Sequence, residues 1–279
     1  MDVCLDNYID FETIDEDSTI VNHNSDKTYK IIEKIGEGKL GKIFDCETKI
    51  GRRVALKIID KNDLLDSDFN LNCIQNEINI HLQLKNNNVL LMEDCFQDNS
   101  FIYMILELGT CSLHNIIYES NYEIKRIFKI LSEILNGLIY LKENLIIHRD
   151  IKSENIILNK RVIKIADFGH SCKLEYSDQL LNEQYGTPEY MSPQIVQSLD
   201  YSFETDIWSL GIVFYELLFK NVPFDAESDR EIFKVVKDSE VIYPMKLPNI
   251  IKNIIDSMLI KDRLLRITHE NLLLKIPPI

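Results

Sequence analysis

Between Tyr29 and Asp60, apolar and polar positions alternate in three short runs, "YKIIEKIGEG", "GKIFDCET" and "RRVALKIID", separated by Gly, Asp and Lys positions suited to turns. Runs of this kind predict antiparallel strands. From about Asp68 to Leu84 the period lengthens, and Leu71, Ile74, Ile78 and Leu82 recur near helical spacing, which predicts an amphipathic helix. Strand-like runs resume in "NVLLMEDCF" and "SFIYMILEL". Beyond Gly109 the pattern is mostly helical, in "SLHNIIYES", "EIKRIFKILSEILNGLIYLKEN", "DIWSLGIVFYELLF", "SDREIFKVVKD" and "LPNIIKNIIDSML", with a strand-like "RVIKIADFG" between them. The expected class is α+β in two lobes: a small β-rich lobe with one main helix over residues 29–108, and a larger, mostly helical lobe over 109–279. Residues 1–28 are rich in Asp and Glu and carry no sustained period, which reads as an acidic, flexible tail or a short docking segment.

Composition narrows the function classes. The chain has 279 residues, 45% of them hydrophobic and 27% charged, a globular balance. A formal net charge of -14 argues against direct nucleic-acid binding, which needs concentrated Lys and Arg. Six cysteines (Cys4, Cys46, Cys73, Cys95, Cys111 and Cys172) form no C-x-x-C pair, so neither a zinc site nor a disulfide framework is expected. The first residues lack a basic segment followed by an apolar one, and no apolar run is long enough to cross a bilayer, so no membrane partner is expected. The expected location is cytoplasm or nucleus.

The candidate chemistry lies in four segments. "GEGKLGKI" spaces three glycines between predicted strands; such a turn either serves only as a hairpin or brings its amides against phosphate oxygens. The strand that follows it, rather than a helix, rejects a dinucleotide-binding fold. Lys57 in the apolar run "VALKI" either snorkels to solvent or offers a cation to phosphates, and Glu77 of the predicted helix either faces solvent or pairs with that cation. In "HRDIKSENIIL" followed by "IKIADFG", Asp150, Lys152, Asn155 and Asp167 supply a hydroxyl acceptor, a cation and two oxygen ligands for a metal. Each triplet alone is commonplace; in this order, after the glycine, Lys and Glu segments, they are highly specific.

On these residues the chain resembles the eukaryotic protein kinase family from Tyr29 to Leu273. The resemblance implies ATP and Mg2+ as cofactors and transfer of the γ-phosphoryl group to Ser or Thr hydroxyls of protein substrates. It implies that Asp150 deprotonates the hydroxyl beside Lys152, that Lys57 binds the α and β phosphates and pairs with Glu77, and that Asp167 and Asn155 hold metal. Ile35, Gly36, Glu37, Gly38, Lys39 and Gly41 would cover the phosphates. Ile43, Ala55 and Ile157 would sandwich the adenine, with Leu106 as gatekeeper and the backbones of Glu107 and Gly109 at its edge. His148 is structural in the family and would stack with Phe168, His81 and Met92. Lys152 together with Thr187 in "GTPEY" resembles the serine/threonine branch.

Within the family, "GEGKLG", "IKIADFGHS" and "PFDAESDREIFKVVKDSEVIYP" resemble the Aurora branch, which would imply work in cell division at the spindle and an activating partner on the small lobe. The tandem threonines of that branch are missing before "GT". A polo-like assignment would call for a docking domain after the catalytic region, where this sequence reads "KIPPI". A basophilic kinase of another branch, a small-molecule kinase and an inactive kinase-fold scaffold are the alternatives; retention of Lys57, Asp150 and Asp167 speaks against the scaffold. Glu154 and Glu216 match positions that attract Arg upstream of the acceptor, giving an expected mild preference for basic substrates. Four residues before Thr187, where relatives carry a phosphorylated Thr opposite Arg149, stands Glu183, expected to replace that phosphate in part. Gln194 replaces a Glu that pairs with Arg266, so that anchor is expected to be a neutral-to-charged hydrogen bond.

Overall fold

The three alternating runs become β2 (Lys27–Gly38), β3 (Gly41–Thr48) and β4 (Arg53–Asp60) of a six-stranded antiparallel sheet. The computed structural model describes residues 14, 17–38, 41–64, 71–119 and 123–278. The sheet order is β1-β2-β3-β4-β6-β5, with β1 (Thr19–Asn22), β5 (Met92–Gln97) and β6 (Phe101–Leu106). α1 (Leu71–His81) belongs to the same unit. Two apolar clusters fill this unit. One gathers Met92, Ile102 and Met104 of the sheet with Ile74 and Ile78 of the helix; the other gathers Ile20, Tyr29, Ile31, Phe44, Leu56 and Tyr103.

Two details depart from the sequence pattern. The buried stripe of α1 is Ile74, Glu77, Ile78 and His81, whereas Leu71 and Leu82, expected on the apolar face, are exposed. Thr19–Asn22 lies in the stretch read as an acidic tail, yet it pairs with Lys27–Lys30 and buries Ile20 and Asn22 on alternate positions. Ile14 joins the same core cluster. Four residues are too few to show a period, and the surrounding acids masked the signal. The remainder of the tail, 1–13 with 15 and 16, lies outside the described residues. Replacing Ile20 with Ala should lower stability by about 2–4 kcal/mol, read as a fall in the denaturant midpoint at constant slope.

The second unit begins at Gly109 and also contains residues 83–90. Its helices are α2 (Leu113–Glu119), α3 (Ile124–Glu143), α4 (Pro193–Val196), α5 (Glu204–Phe219), α6 (Asp229–Asp238), α7 (Asn249–Met258) and α8 (His269–Lys275). β7 (Cys111–Ser112), β9 (Ile156–Asn159) and β10 (Val162–Ile165) form one small sheet, and β8 (Ile146–Ile147) pairs with β11 (Cys172–Lys173). α5 is buried continuously from Thr205 to Leu217, as a helix apolar around most of its circumference must be. It packs against α3 and α7, and α3 also packs on β10 and α8.

α8 was not legible as a separate helix because it is only seven residues long; Thr268 caps it by accepting a hydrogen bond from the Asn271 amide. Its first residue, His269, is buried, and burial pushes its imidazole from 6.5 down to about 4. The unfolded chain therefore takes up a proton near pH 6.5 that the native chain refuses until about pH 4. Stability must fall as pH drops through that interval, by up to about 3 kcal/mol. Denaturation of the wild type should show about 2 kcal/mol of this decline between pH 7 and 5, and a His269→Asn protein should show a flatter profile. Glu270, which Lys142 holds down to about 2, titrates below this range.

Candidate active site

In the first unit, sheet register sets the candidate residues in rows. Lys57 lies opposite Ile43 on one side and Met104 on the other, while Ala55 lies opposite Leu106. Residues two apart on a strand share a face, so Ile43, Ala55, Lys57, Met104 and Leu106 project from the same side of the sheet. This is also the side of α1, since Met104 and Leu106 pack with Ile74 and Ile78. Glu77 on the buried stripe of that helix meets the Lys57 ammonium at 3.2 Å and is itself 3% exposed. The solvent-facing reading of Glu77 is therefore excluded.

Gly36, Glu37 and Gly38 end β2 and pair with Ile43, Lys42 and Gly41 across the turn, and Lys39 lies outside the described residues. Gly41 has φ +126°, and a side chain there would strike the Ile58 carbonyl, so the tight return requires glycine. Ile35 is exposed, and Glu37 is bound by Lys34 at 2.7 Å. Glu107 donates its amide to the Leu91 carbonyl at 2.9 Å. His81 and Met92 are both buried in this unit.

In the second unit a short 3-10 turn, Ser153–Asn155, joins the segment after β8 to β9. Asp150 is buried and its two oxygens are separately engaged. Oδ2 accepts from Asn155 Nδ2 at 2.9 Å and lies 3.1 Å from Lys152 Nζ; Oδ1 accepts the Thr187 hydroxyl at 2.7 Å. Lys152 Nζ also donates to that hydroxyl oxygen at 2.7 Å. The carboxylate and the ammonium thus hold an aliphatic hydroxyl between them. Asn155 uses its amide nitrogen on Asp150, which turns the amide's other end, an oxygen, to different use. Asp167 is exposed, its Oδ1 accepts from the Gly169 amide at 3.2 Å, and its backbone sits at φ 63°. Asn155 and Asp167 offer the hard oxygen donors that Mg2+ prefers.

Both ring nitrogens of His148 are engaged by the backbone. Its Nε2 donates to the Ala166 carbonyl at 3.1 Å, so Nδ1 is the acceptor for the Asp150 amide at 3.3 Å, and its ring meets Phe168 edge-on at 5.1 Å. Ile157 lies opposite Ser112 in the small sheet, and a side chain at Gly109 would collide with it.

Sequence reasoning missed the residue that organises this loop. Asp206 of α5 is buried and accepts the amides of His148 at 2.8 Å and Arg149 at 2.9 Å, one on each oxygen. Burial pushes its carboxyl above the usual range, and those two amides oppose the rise. They also hold Arg149 in the left-handed region at φ 66°, a strained setting for a non-glycine residue. Its only sequence signal was an acid heading an otherwise apolar run.

The regulatory candidates fall together in this unit. Arg149 reaches the Glu183 carboxylate at 3.7 Å. Gln194 accepts from Arg266 Nη2 at 2.8 Å and donates to the Lys261 carbonyl at 2.7 Å, so it bridges two partners where a carboxylate could only accept. Arg266 is buried against Trp208, with burial pushing its guanidinium down to about 10. Glu216 is 1% exposed, and accepts from Tyr190 at 2.8 Å and Ser153 at 3.0 Å, so it is not presented to solvent as a free acid; Glu154 is exposed.

Comparison with known proteins accords with these constellations. Residues 29–275 match the family described as protein kinase domain. The chain is 32% identical over 271 residues to the serine/threonine-protein kinase PLK4 of Drosophila virilis, covering 94% of this chain and 33% of the relative. It is 30% identical over 253 residues to PLK4 of Aedes aegypti (88% and 32%) and 30% identical over 243 residues to the serine/threonine-protein kinase TIO of Arabidopsis thaliana (86% and 18%). The chain thus spans about a third of the PLK4 relatives. These likenesses extend over most of the chain and overturn the Aurora reading. In this structure those stretches serve turn geometry and packing: Gly41 takes a positive φ at a tight return, and α6 buries Ile232 and Val236. Such positions report the fold more than the branch.

Proposed function

This chain belongs to the protein kinase domain family, and from that premise we propose that it is an ATP-dependent serine/threonine protein kinase affiliated with the polo-like branch. The observation that carries the reading is the Thr187 hydroxyl seated between Asp150 Oδ1 and Lys152 Nζ, both at 2.7 Å. A group that accepts from a hydroxyl and a cation beside the same oxygen are what phosphorylation of Ser or Thr requires. Asp150 accepts the proton of the attacking hydroxyl, and Lys152 neutralises charge building at its oxygen. Asn155, through its oxygen, and Asp167 would hold Mg2+, which would screen the phosphate charge. Lys57, fixed by Glu77, is assigned to the α and β phosphates, the glycine turn Gly36–Gly41 to the phosphate cover, and Ile43, Ala55, Leu106, Glu107, Gly109 and Ile157 to adenine. Preference for Arg upstream of the acceptor rests on Glu154, because Glu216 is already committed to Tyr190 and Ser153. A place in cytoplasm or nucleus is part of the same proposal.

The test is incubation of the chain with Mg-ATP and an oriented peptide library. Phosphoserine and phosphothreonine should form, with mild enrichment of upstream Arg. Phosphorylation of small alcohols with none of the peptides would sink the protein-kinase reading.

A further inference from the structure

The segment that delivers Thr187 to Asp150 is tied down at Arg149, and the geometry ranks the ties. Arg149 Nε donates to the His170 carbonyl at 2.6 Å, and its guanidinium carbon lies 4.5 Å from the centre of the Tyr185 ring. Tyr201 is fully buried; its backbone exchanges hydrogen bonds with Leu181 at 2.8 and 2.9 Å, and its hydroxyl donates to the Glu183 carbonyl at 2.9 Å. Gly186, at φ +119°, runs so close that a side chain there would sit 2.5 Å from the Arg149 carbonyl. The Glu183 carboxylate, by contrast, is 55% exposed and 3.7 Å from Arg149. That is beyond hydrogen-bond reach, and a pair whose acid lies mostly in water contributes little. Tyr185 is itself 41% exposed, but the Arg149 side chain under its ring is only 9% exposed, and a cation–π contact strengthens as the cation loses water.

We infer that Tyr185 is the positioning residue of the activation segment: its ring, lying over Arg149, does the work of an activating phosphate, while Glu183 contributes its backbone more than its charge. The inference rests on the kinase reading only for its activity arm. The ring fixes the residue two positions before Thr187, and so the hydroxyl-binding pair of Asp150 and Lys152 keeps its geometry with no phosphate on the segment. Substrate binding elsewhere is untouched, so the effect falls on turnover more than on the Michaelis constant for ATP.

The full chain, treated with phosphatase, is compared as wild type, Tyr185→Ala, Tyr185→Phe and Glu183→Gln. Tyr185→Ala should lose at least about tenfold in kcat with the KM for ATP little changed, a loss of about 1.4 kcal/mol in barrier terms. Tyr185→Phe, which keeps the ring, and Glu183→Gln, which keeps the backbone, should stay within about twofold of wild type. Amide exchange of residues 181–187 should accelerate in Tyr185→Ala alone. Glu183→Gln or Tyr185→Phe falling as far as Tyr185→Ala, or Tyr185→Ala changing neither turnover nor exchange, overturns the inference. If the wild type transfers no phosphate, the kinase reading fails, and the exchange data still decide the clamp.

Discussion

Replacing Asp150 with Asn should reduce phosphoryl transfer by about 10²–10⁴-fold while leaving the fold in place. The magnitude is that of a lost general base. The loop that presents Asp150 is held mainly by other groups: the Asp206 carboxylate grips the His148 and Arg149 amides, and the His148 ring receives the Asp150 amide. The substitution is isosteric, but an amide has one acceptor oxygen where the carboxylate has two. Three donors converge on Asp150 from Asn155, Lys152 and Thr187. One amide cannot satisfy all of them, so the hydroxyl seat is lost or its neighbours rearrange. Steady-state transfer to peptide, set beside the thermal midpoint, separates the two effects. Transfer within tenfold of wild type in D150N, at unchanged stability, would remove Asp150 from the chemistry.

A Lys57→Met protein should lose at least about a hundredfold in transfer and, separately, about 3–5 kcal/mol in stability. The first loss is that of a cation aimed at phosphate. The second arises because Glu77 is buried on the inner stripe of α1 and faces Lys57 at 3.2 Å. Removing one partner of a buried ion pair leaves the other charge buried without its counter-ion. The double substitution Lys57→Met with Glu77→Gln should therefore recover most of the stability and none of the activity. Denaturant midpoints for the four proteins of this cycle supply the coupling. Equal stability of the single and double variants would mean that Glu77 finds adequate solvation without its lysine.

Much of this molecule could be read along the chain. The strands β2 to β4 and helix α3 are long enough for their apolar period to stand out, and α5 stands out as a continuous apolar run, buried from Thr205 to Leu217. Asp150, Lys152, Asn155 and Asp167 were recognisable because their segments stand in the order that the protein kinase family takes. The branch was not, because the residues compared serve turn geometry and packing in this chain.

What only the tertiary structure decided concerns partners distant in sequence. Whether Glu77 faces water or Lys57 depends on which side of α1 meets the sheet. Whether Glu216 offers an acid to substrate depends on Ser153 and Tyr190 reaching it first. The acid that sets the Arg149 backbone comes from Asp206, 57 positions away, and the strand at Thr19–Asn22 exists because β2 offers it an edge. Periodicity is a local property of the chain and survives in the sequence. The pairing of buried charges and the placing of a ring over a guanidinium are settled by desolvation in the assembled fold, and no local pattern encodes them.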